Sequence, residues 1–202
     1  MPGRKPPAGS WSLVVGPGLL EWIPGSQSGR VVRINTSAGT VHTAFDEHKS
    51  AVANIIPPQR AAAIARTAGL DDGKRWYRVQ ALTFVSTVHA GIHLIGDAII
   101  ASPMPKSAFS ANTQAKVCAA AIVALLRGTQ VPEPVLMNTC YSLVAPDYGI
   151  SIAGVYHVTE DKITAVEGSE GVSPLDAPAE IRSLEAAYAQ SWYNNITADV
   201  FA

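Results

Sequence analysis

Gly96 and Asp97 are the residues of this chain best placed to do chemistry. They follow an apolar run, residues 92–95, that we interpret as a strand, and residues 103–112 then begin a helix. Such a corner sets a carboxylate beside backbone N–H groups that have no partner within the helix. Because a helix start carries partial positive charge, the corner favours an electron-rich or anionic ligand group. A Gly-Asp pair alone is a weak signal, since any exit from a strand into a loop can carry one.

The two cysteines lie in contrasting sequence surroundings. Cys118 sits in an alanine-rich helical run, where a cysteine is most often a small buried hydrophobic residue. Cys140 follows a proline-rich connector and has polar neighbours on both sides. A disulfide between the two can form but is not required, and their spacing fits no metal-binding motif. The histidines also lack metal-ligand spacing, so we predict no metal site.

Composition and charge narrow the class of protein. The 202 residues are 48% hydrophobic and 15% charged, which is a globular rather than a disordered composition. A net charge of -1 and the lack of a basic stripe argue against a nucleic-acid-binding protein. The apolar stretches are too short and too interrupted to predict a membrane span, and the first residues do not resemble a signal peptide.

The elements that must position these residues fall into two groups. In the first group we predict an unstructured leader, a hairpin with alternating faces, a short apolar strand and a helix that stops at a glycine. These elements are residues 1–18, residues 29–35 with 39–45, residues 52–56, and residues 59–68 with Gly69.

The second group begins with a helix capped by Ser107 or Ser110 and closed by Gly128. Its high content of apolar residues predicts that most of its faces are buried. Beyond a proline-rich boundary we predict an antiparallel pair of strands, residues 150–158 and 162–167, and a last helix at about 179–198. Strands, a helix and a small α+β segment indicate the remnant of a nucleotide-binding domain followed by an interface domain.

Seven sequence blocks carry a specific pattern: residues 55–61, 92–98, 103–117, 138–142, 148–151, 174–178 and 191–196. Read together, they resemble the flavoprotein subunit of flavocytochrome c sulfide dehydrogenase, over roughly Leu19 to the C-terminus. The resemblance implies a fold of the α/β plus α+β class. This fold would be part of a two-dinucleotide-domain, glutathione reductase-like flavoprotein with a C-terminal interface domain. The implied domains are a disordered leader at 1–18, partial nucleotide-binding domains at 19–131 and a flavin-binding interface domain at 132–202.

The resemblance is to the C-terminal half of that family. No strand, Gly-x-Gly-x-x-Gly loop and helix can be identified in residues 1–30. Gly16-Pro17-Gly18 does not substitute, because proline at that point blocks the turn and the helix. We therefore expect the adenosine pyrophosphate site to be missing. The chain would act as an enzyme only if a separate polypeptide supplies the N-terminal FAD half, or if these residues are a truncated form of the whole subunit.

The resemblance assigns FAD-binding positions to the Gly-Asp corner. It places the Asp97 carboxylate on the ribityl chain and Gly96 where a side chain would collide with the cofactor. Backbone N–H groups at the helix start, and Lys106, could stabilise negative charge on the reduced flavin. A solvated charge at the helix start is the alternative for Lys106. The other implied contacts are Met104, Pro105 and Ser107 along the isoalloxazine, Ala111 behind it, and Trp192 near the flavin.

Cys140 matches the second redox cysteine of the family and is the catalytic residue that the resemblance implies. In the implied mechanism, Cys140 forms a disulfide with the first redox cysteine of the family, which belongs to the missing N-terminal half. Sulfide attacks that disulfide and a thiolate is released beside the flavin. Two electrons pass to FAD and then leave singly to a haem on a cytochrome c subunit. The family acts in the periplasm, which is therefore the implied compartment.

Two alternatives stay open at this point. The chain could be a non-catalytic domain that docks a cytochrome or a flavoprotein. It could also be a relative of sulfide:quinone oxidoreductase, which shares the Gly-Asp corner. That relationship predicts an amphipathic C-terminal helix that contacts a membrane, whereas residues 192–197 contain no basic segment with an apolar face.

Overall fold

The computed structural model describes residues 23–27, 29–70 and 73–201. The chain divides into two compact units, Met1–Gln59 and Arg60–Ala202. The leader predicted at residues 1–18 lies outside the described residues, as does the start of the domain predicted to follow it.

The first unit contains a three-stranded antiparallel sheet. Its strands, in spatial order, are β1 (Val31–Asn35), β2 (Thr40–Thr43) and β3 (Glu47–Lys49). The predicted hairpin is confirmed, but the expected alternation of faces is wrong, because β1 is mostly exposed and β2 mostly buried. Gly39 in its turn has a φ of +65°, a conformation that suits a residue without Cβ. The strand predicted at 52–56 is wrong. Its side chains are largely exposed, so no neighbouring strand covers them, and the two prolines that follow cannot donate to a ladder.

A short helix, α1 (Ala63–Thr67), lies near the start of the second unit. It begins later than the predicted start at residue 59, because Ala62 has extended dihedral angles and the Ala61 N–H bonds to the Arg75 carbonyl at 2.9 Å. It ends as predicted, with Gly69 at a φ of +74°. Its buried residues form a small apolar cluster with the segment that follows: Ala61, Ala65, Leu70 and Tyr77.

The strand predicted at residues 92–95 is wrong. Gly91 and Gly96 adopt φ values of +78° and +70° on either side of it, so the backbone leaves the extended conformation at both ends. Within this described segment a single bridge remains, from His93 to Val85. The Gly-Asp corner is instead a 3-10 turn, Gly96–Ala98, that packs on the long helix following it.

That long helix is α2 (Ala108–Arg127), and it begins and ends as predicted. The Ser107 side chain caps it by accepting the Ser110 N–H at 3.0 Å, and Gly128 closes it in the left-handed conformation. The expectation that most of its faces are buried is wrong. One face packs in the core, whereas Leu126 on the uncovered side is 84% exposed. Among the described residues it is the one helix that could span a membrane by length and composition, properties that core helices share.

A second antiparallel sheet follows α2. Its strands are β4 (Leu136–Ala145), β5 (Tyr148–Thr159), β6 (Lys162–Ala165) and β7 (Gly171–Val172). The order is β4-β5-β6, and β7 also pairs with β5. The predicted strand pair is therefore confirmed as β5 and β6. Glu160 and Asp161 join the two strands in a two-residue turn with positive φ at both positions.

The last helix, α3 (Ala179–Phe201), confirms the helix predicted near the C-terminus. It packs on β5 and on β4. At Gly149 the two backbones approach so closely that a Cβ would stand 2.4 Å from the Ala186 nitrogen. Only a residue without a side chain fits this crossing of strand and helix.

The two long helices contact opposite faces of the second sheet. Successive residues of a strand point to opposite faces. Leu136 of β4 packs with Cys118 of α2 in the main core, whereas Tyr141, at a position of the other parity, contacts Trp192 of α3. The sheet is therefore covered by α2 on the inner face and by α3 on the outer face.

Helices and antiparallel sheets together make an α+β architecture, which confirms the coarser part of the predicted fold class. The finer part, the remnant of a two-dinucleotide-domain flavoprotein, stays a prediction. The domain boundary at residues 131 and 132 also stays a prediction.

Candidate functional site

Cys140 lies within β4 as a half-buried free thiol. Asn138, two residues earlier, shares its face of the strand. Asn138 is 2% exposed, and its Nδ2 lies 3.4 Å from Cys140 Sγ as a hydrogen-bond donor. The same sulfur is 3.7 Å from Asn138 Oδ1. The thiol is therefore in direct contact with a buried amide.

The start of α2 reaches the same amide. The hydroxyls of Ser107 and Ser110 donate to Asn138 Oδ1 at 2.5 and 3.1 Å. Ser110 is 1% exposed, so this bond lies inside the core. A continuous hydrogen-bonded path thus runs from the cap of α2 to the Cys140 sulfur. It joins two regions that are far apart in the sequence, the predicted isoalloxazine segment and the predicted redox cysteine.

The Gly-Asp corner packs on the next turn of α2. Gly96 donates its N–H to Gln114 Oε1 at 2.7 Å, and a Cβ at Gly96 would stand 3.5 Å from the Ala111 Cβ. Asp97 is exposed, and its carboxylate accepts no hydrogen bond from the described residues. The predicted contacts Gly96 and Ala111 are therefore neighbours, and the Asp97 carboxylate is able to accept bonds from a ligand.

The Lys106 ammonium folds back onto this corner. Its Nζ donates to the carbonyl oxygens of Asp97 and Ile99 at 2.5 and 2.7 Å, and it lies 4.0 Å from the centroid of the Trp76 ring. Desolvation lowers the pKa of Lys106, and the Asp97 carboxylate acts against that shift. The two carbonyl bonds offset the unfavourable position of a cation at a helix start. Lys106 thereby ties the corner to the helix cap.

The Met104 side chain belongs to the core. It is 3% exposed, and its Sδ accepts a bond from Gln114 Nε2 at 3.5 Å. The side chain therefore anchors the segment before α2. The backbone of residues 104–107 and the half-buried Pro105 remain as the groups that can meet a ligand.

Trp192 does not lie beside the Cys140 thiol. It stacks on Phe109 in the first turn of α2, with ring centroids 5.7 Å apart, and its centroid lies 6.2 Å from that of Tyr141. Because Tyr141 and Cys140 are consecutive on β4, they point to opposite faces. Trp192 instead lines a cleft of about 370 Å³ between α2, β4 and α3.

Sequence reasoning missed Asn138 and Gln114, two polar residues that are almost fully buried. For Asn138 a signal was available, since a residue two positions before Cys140 on a strand must share its face. Cys118 is buried as predicted, and its burial raises the pKa of the thiol. In the part of the chain that the structure describes, no group of three or more histidine, cysteine or acidic residues could hold a metal ion.

Comparison with protein families identifies the class of this region. Residues 132–201, which hold β4 to β7 and α3, match the model of a flavin-binding domain. The chain therefore carries a flavin-binding domain, in agreement with the predicted FAD cofactor. The matching family is described as flavocytochrome c sulphide dehydrogenase, flavin-binding. The predicted resemblance is confirmed over residues 132–201. The match contains Asn138, Cys140 and Trp192, whereas the Gly-Asp corner lies before it.

Proposed function

We propose that this chain is the flavin-binding part of an FAD-dependent sulfide dehydrogenase, with Cys140 as its redox thiol. A cytochrome c subunit would accept the electrons, and the periplasm would be the compartment. The observation that carries the proposal is the hydrogen-bonded junction between Cys140 and the start of α2 through Asn138. It sets a half-buried thiol beside the helix start that the family resemblance assigns to the isoalloxazine.

The residues around this junction fit the isoalloxazine and ribityl end of FAD. The Ala108 and Phe109 N–H groups, in the first turn of α2, have no intrahelical acceptor and favour an electron-rich ring edge. Asp97 would accept a bond from a ribityl hydroxyl, and Gly96 presents no side chain to the cofactor. The other proposed contacts are Pro105, Lys106, Ser107, Ala111 and the backbone of Met104, whereas Trp192 lies on the other face of the sheet.

The pyrophosphate end of FAD has no matching segment in residues 1–30, because no Gly-x-Gly-x-x-Gly loop occurs there. We propose that a further polypeptide segment supplies this part of the site. Weak FAD binding by the 202 residues alone is the expected consequence.

In the proposed reaction the residues of this chain would have two roles, sulfur chemistry and stabilisation of negative charge. FAD, when bound, supplies an acceptor that takes two electrons and can pass them on singly. Cys140 would form a disulfide with a cysteine of the N-terminal half. Sulfide would bond to that partner cysteine as the S–S bond breaks, and Cys140 would be released as a thiolate. The helix-start N–H groups and the Lys106 ammonium place positive charge beside the site. Half-burial of Cys140 leaves its sulfur within reach of a small anion such as sulfide.

A Cys140→Ser variant tests the proposal when the chain is combined with a polypeptide that carries the N-terminal FAD half. We expect FAD to stay bound, measured by quenching of flavin fluorescence, and sulfide-dependent reduction of cytochrome c to fall to the background rate. Cys118→Ala is the matched control, because Cys118 is buried and should leave turnover nearly unchanged. Turnover retained in Cys140→Ser would remove this thiol from the mechanism. FAD bound tightly by the 202 residues alone would contradict the need for the second segment.

A further inference from the structure

Asn138 is a polar side chain buried beside the proposed redox thiol. It lies in β4 and is 2% exposed. Taking an amide out of water is costly unless its donor and acceptor atoms find partners. Here all of its side-chain hydrogen bonds go to the cap of α2 or to Cys140. The partners satisfy the amide and at the same time fix its orientation.

The orientation of the amide follows from the two serines. Ser107 Oγ already accepts the Ser110 N–H at 3.0 Å, so its own hydroxyl proton is directed to Asn138 Oδ1. The Ser110 hydroxyl donates to the same oxygen. With Oδ1 held by two donors, the Nδ2 group is the end of the amide that faces the Cys140 sulfur, at 3.4 Å.

We propose that Asn138 is a positioning residue that holds an N–H donor on the Cys140 sulfur and so favours its thiolate, an inference that rests on the proposed role of Cys140. A thiolate is a charged acceptor and forms a stronger bond with an N–H group than a neutral thiol does. The neutral thiol would donate to Oδ1 across 3.7 Å, a longer contact to an oxygen already bonded to two hydroxyls. The amide therefore bonds the deprotonated sulfur better.

Ionisable groups on neighbouring elements lie near this sulfur. Burial raises the pKa of Tyr156 of β5, with Glu170 and Cys140 adding to the shift, so this phenol is neutral at neutral pH. Lys106, before α2, bonds to the carbonyls of Asp97 and Ile99 and not to the sulfur. At neutral pH the Asn138 amide is thus the donor in direct contact with Cys140.

The test is the alkylation rate of each cysteine by iodoacetamide over a series of pH values, resolved by peptide mass spectrometry. Asn138→Asp keeps an oxygen for the two serines but replaces the donor by a carboxylate. We expect the Cys140 rate at neutral pH to fall about tenfold and the pH of half-maximal rate to rise. Ser110→Ala releases one bond to Oδ1 and should lower the rate about threefold. Ser142→Ala, exposed on the same strand, is the control and should change nothing.

Cys118 reports on folding in the same experiment, because it is buried and becomes reactive only when the core opens. An unchanged Cys140 rate in Asn138→Asp, with Cys118 still protected, would overturn the inference. If Asn138→Asp exposes Cys118, Ser110→Ala decides: a lower Cys140 rate supports the inference and an unchanged rate overturns it. A wild-type Cys140 that reacts no faster than in urea would instead overturn the proposed thiol role itself, and the inference with it.

Discussion

The two faces of the second sheet each contain a buried polar cluster, and the clusters end differently. The inner cluster, under α2, runs from Ser107 and Ser110 through Asn138 to the Cys140 thiol. The outer cluster, under α3, is built around a buried arginine and a glutamate. Its members are Ser151, Ser173, Arg182 and Glu185.

The outer cluster ends in an ion pair rather than at a thiol, although the buried Arg182 Nε has no hydrogen-bond partner among the described residues. Arg182 Nη1 lies 3.4 Å from Glu185 Oε2, and the same guanidinium donates to the carbonyls of Pro174 and Leu175. The other Glu185 oxygen accepts bonds from the hydroxyls of Ser151 and Ser173. Because Arg182 and Glu185 form an ion pair within it, the cluster holds α3 and the loop after β7 against the sheet.

The inner cluster is open at one end. It contains no ion pair between its own members, and its last member is a sulfur that is only half-buried. The two serine hydroxyls bond to Asn138 Oδ1, which leaves Asn138 Nδ2 as the remaining donor. This donor points at the Cys140 sulfur, an atom that can ionise. The comparison indicates that one buried network holds elements of the fold together, while the other ends at the proposed redox thiol.

Breaking the outer cluster should have the largest effect on stability. Arg182→Met removes the cation from a side chain that is 4% exposed and leaves Glu185 without its partner. We expect a loss of about 3–5 kcal/mol in the free energy of unfolding, measured by urea denaturation. The alkylation rate of Cys140 in the native state should not change, since the two clusters share no residue.

Lys116→Met is the matched control for this variant. Its ion pair with Asp199 is exposed, so its loss should cost under about 1 kcal/mol. A second variant, Arg182→Met with Glu185→Leu, removes both charges and should recover part of the lost stability. Equal losses in the free energy of unfolding in Arg182→Met and Lys116→Met would refute the view that the outer cluster holds α3 against the sheet.

The close crossing of β5 and α3 offers a second, smaller disruption of the outer face. In Gly149→Ala the new Cβ would meet the Ala186 nitrogen at 2.4 Å, and backbone on both sides must shift. Overpacking of this kind costs about 1–3 kcal/mol, again measured by urea denaturation. Gly171→Ala in β7 is the control, because a Cβ there meets nothing within 4 Å. A loss in Gly171→Ala as large as that in Gly149→Ala would contradict the crossing as its cause.

The parts of this fold that sequence predicts are those with local causes. The cap at Ser107, the stop at Gly128 and the turn at Glu160 and Asp161 depend on residues within a few positions of one another. The strand expected at residues 92–95 is absent because Gly91 and Gly96 bend the backbone at its ends, and an apolar run with flanking glycines does not by itself reveal such bends. The close approach of Gly149 to α3 involves residues far apart in the chain, so no local pattern could reveal it.

The candidate site also combines a feature with local sequence signals and one that depends on residues far apart in the chain. The polar neighbours of Cys140 and the family resemblance both single out this residue in the sequence. Its link to the helix start depends on how β4 packs against α2, which brings Asn138 to Ser107 across 31 positions of the chain. Strand alternation could have paired Asn138 with Cys140, but not with the two serines.

The smallest predicted effect concerns Tyr156, which lies next to the inner cluster. Burial raises the pKa of Tyr156, and Glu170 and Cys140 add to the shift. The folded state therefore keeps the phenol proton at a pH where the unfolded chain loses it. This contribution to stability is complete below about pH 10, the usual tyrosine pKa, and is lost as pH rises from there through the folded pKa.

Tyr156→Phe should accordingly flatten the loss of stability above about pH 10, measured as the urea midpoint at a series of pH values. Part of the loss will remain, because burial also raises the pKa of Tyr141 and of Cys118. Tyr193→Phe on the exposed side of α3 is the control and should leave the slope unchanged. The same slope in Tyr156→Phe and in the wild-type chain would show that this phenol is not held neutral by the folded state. The surroundings of Tyr156 on the inner face would then be no less polar than open solvent.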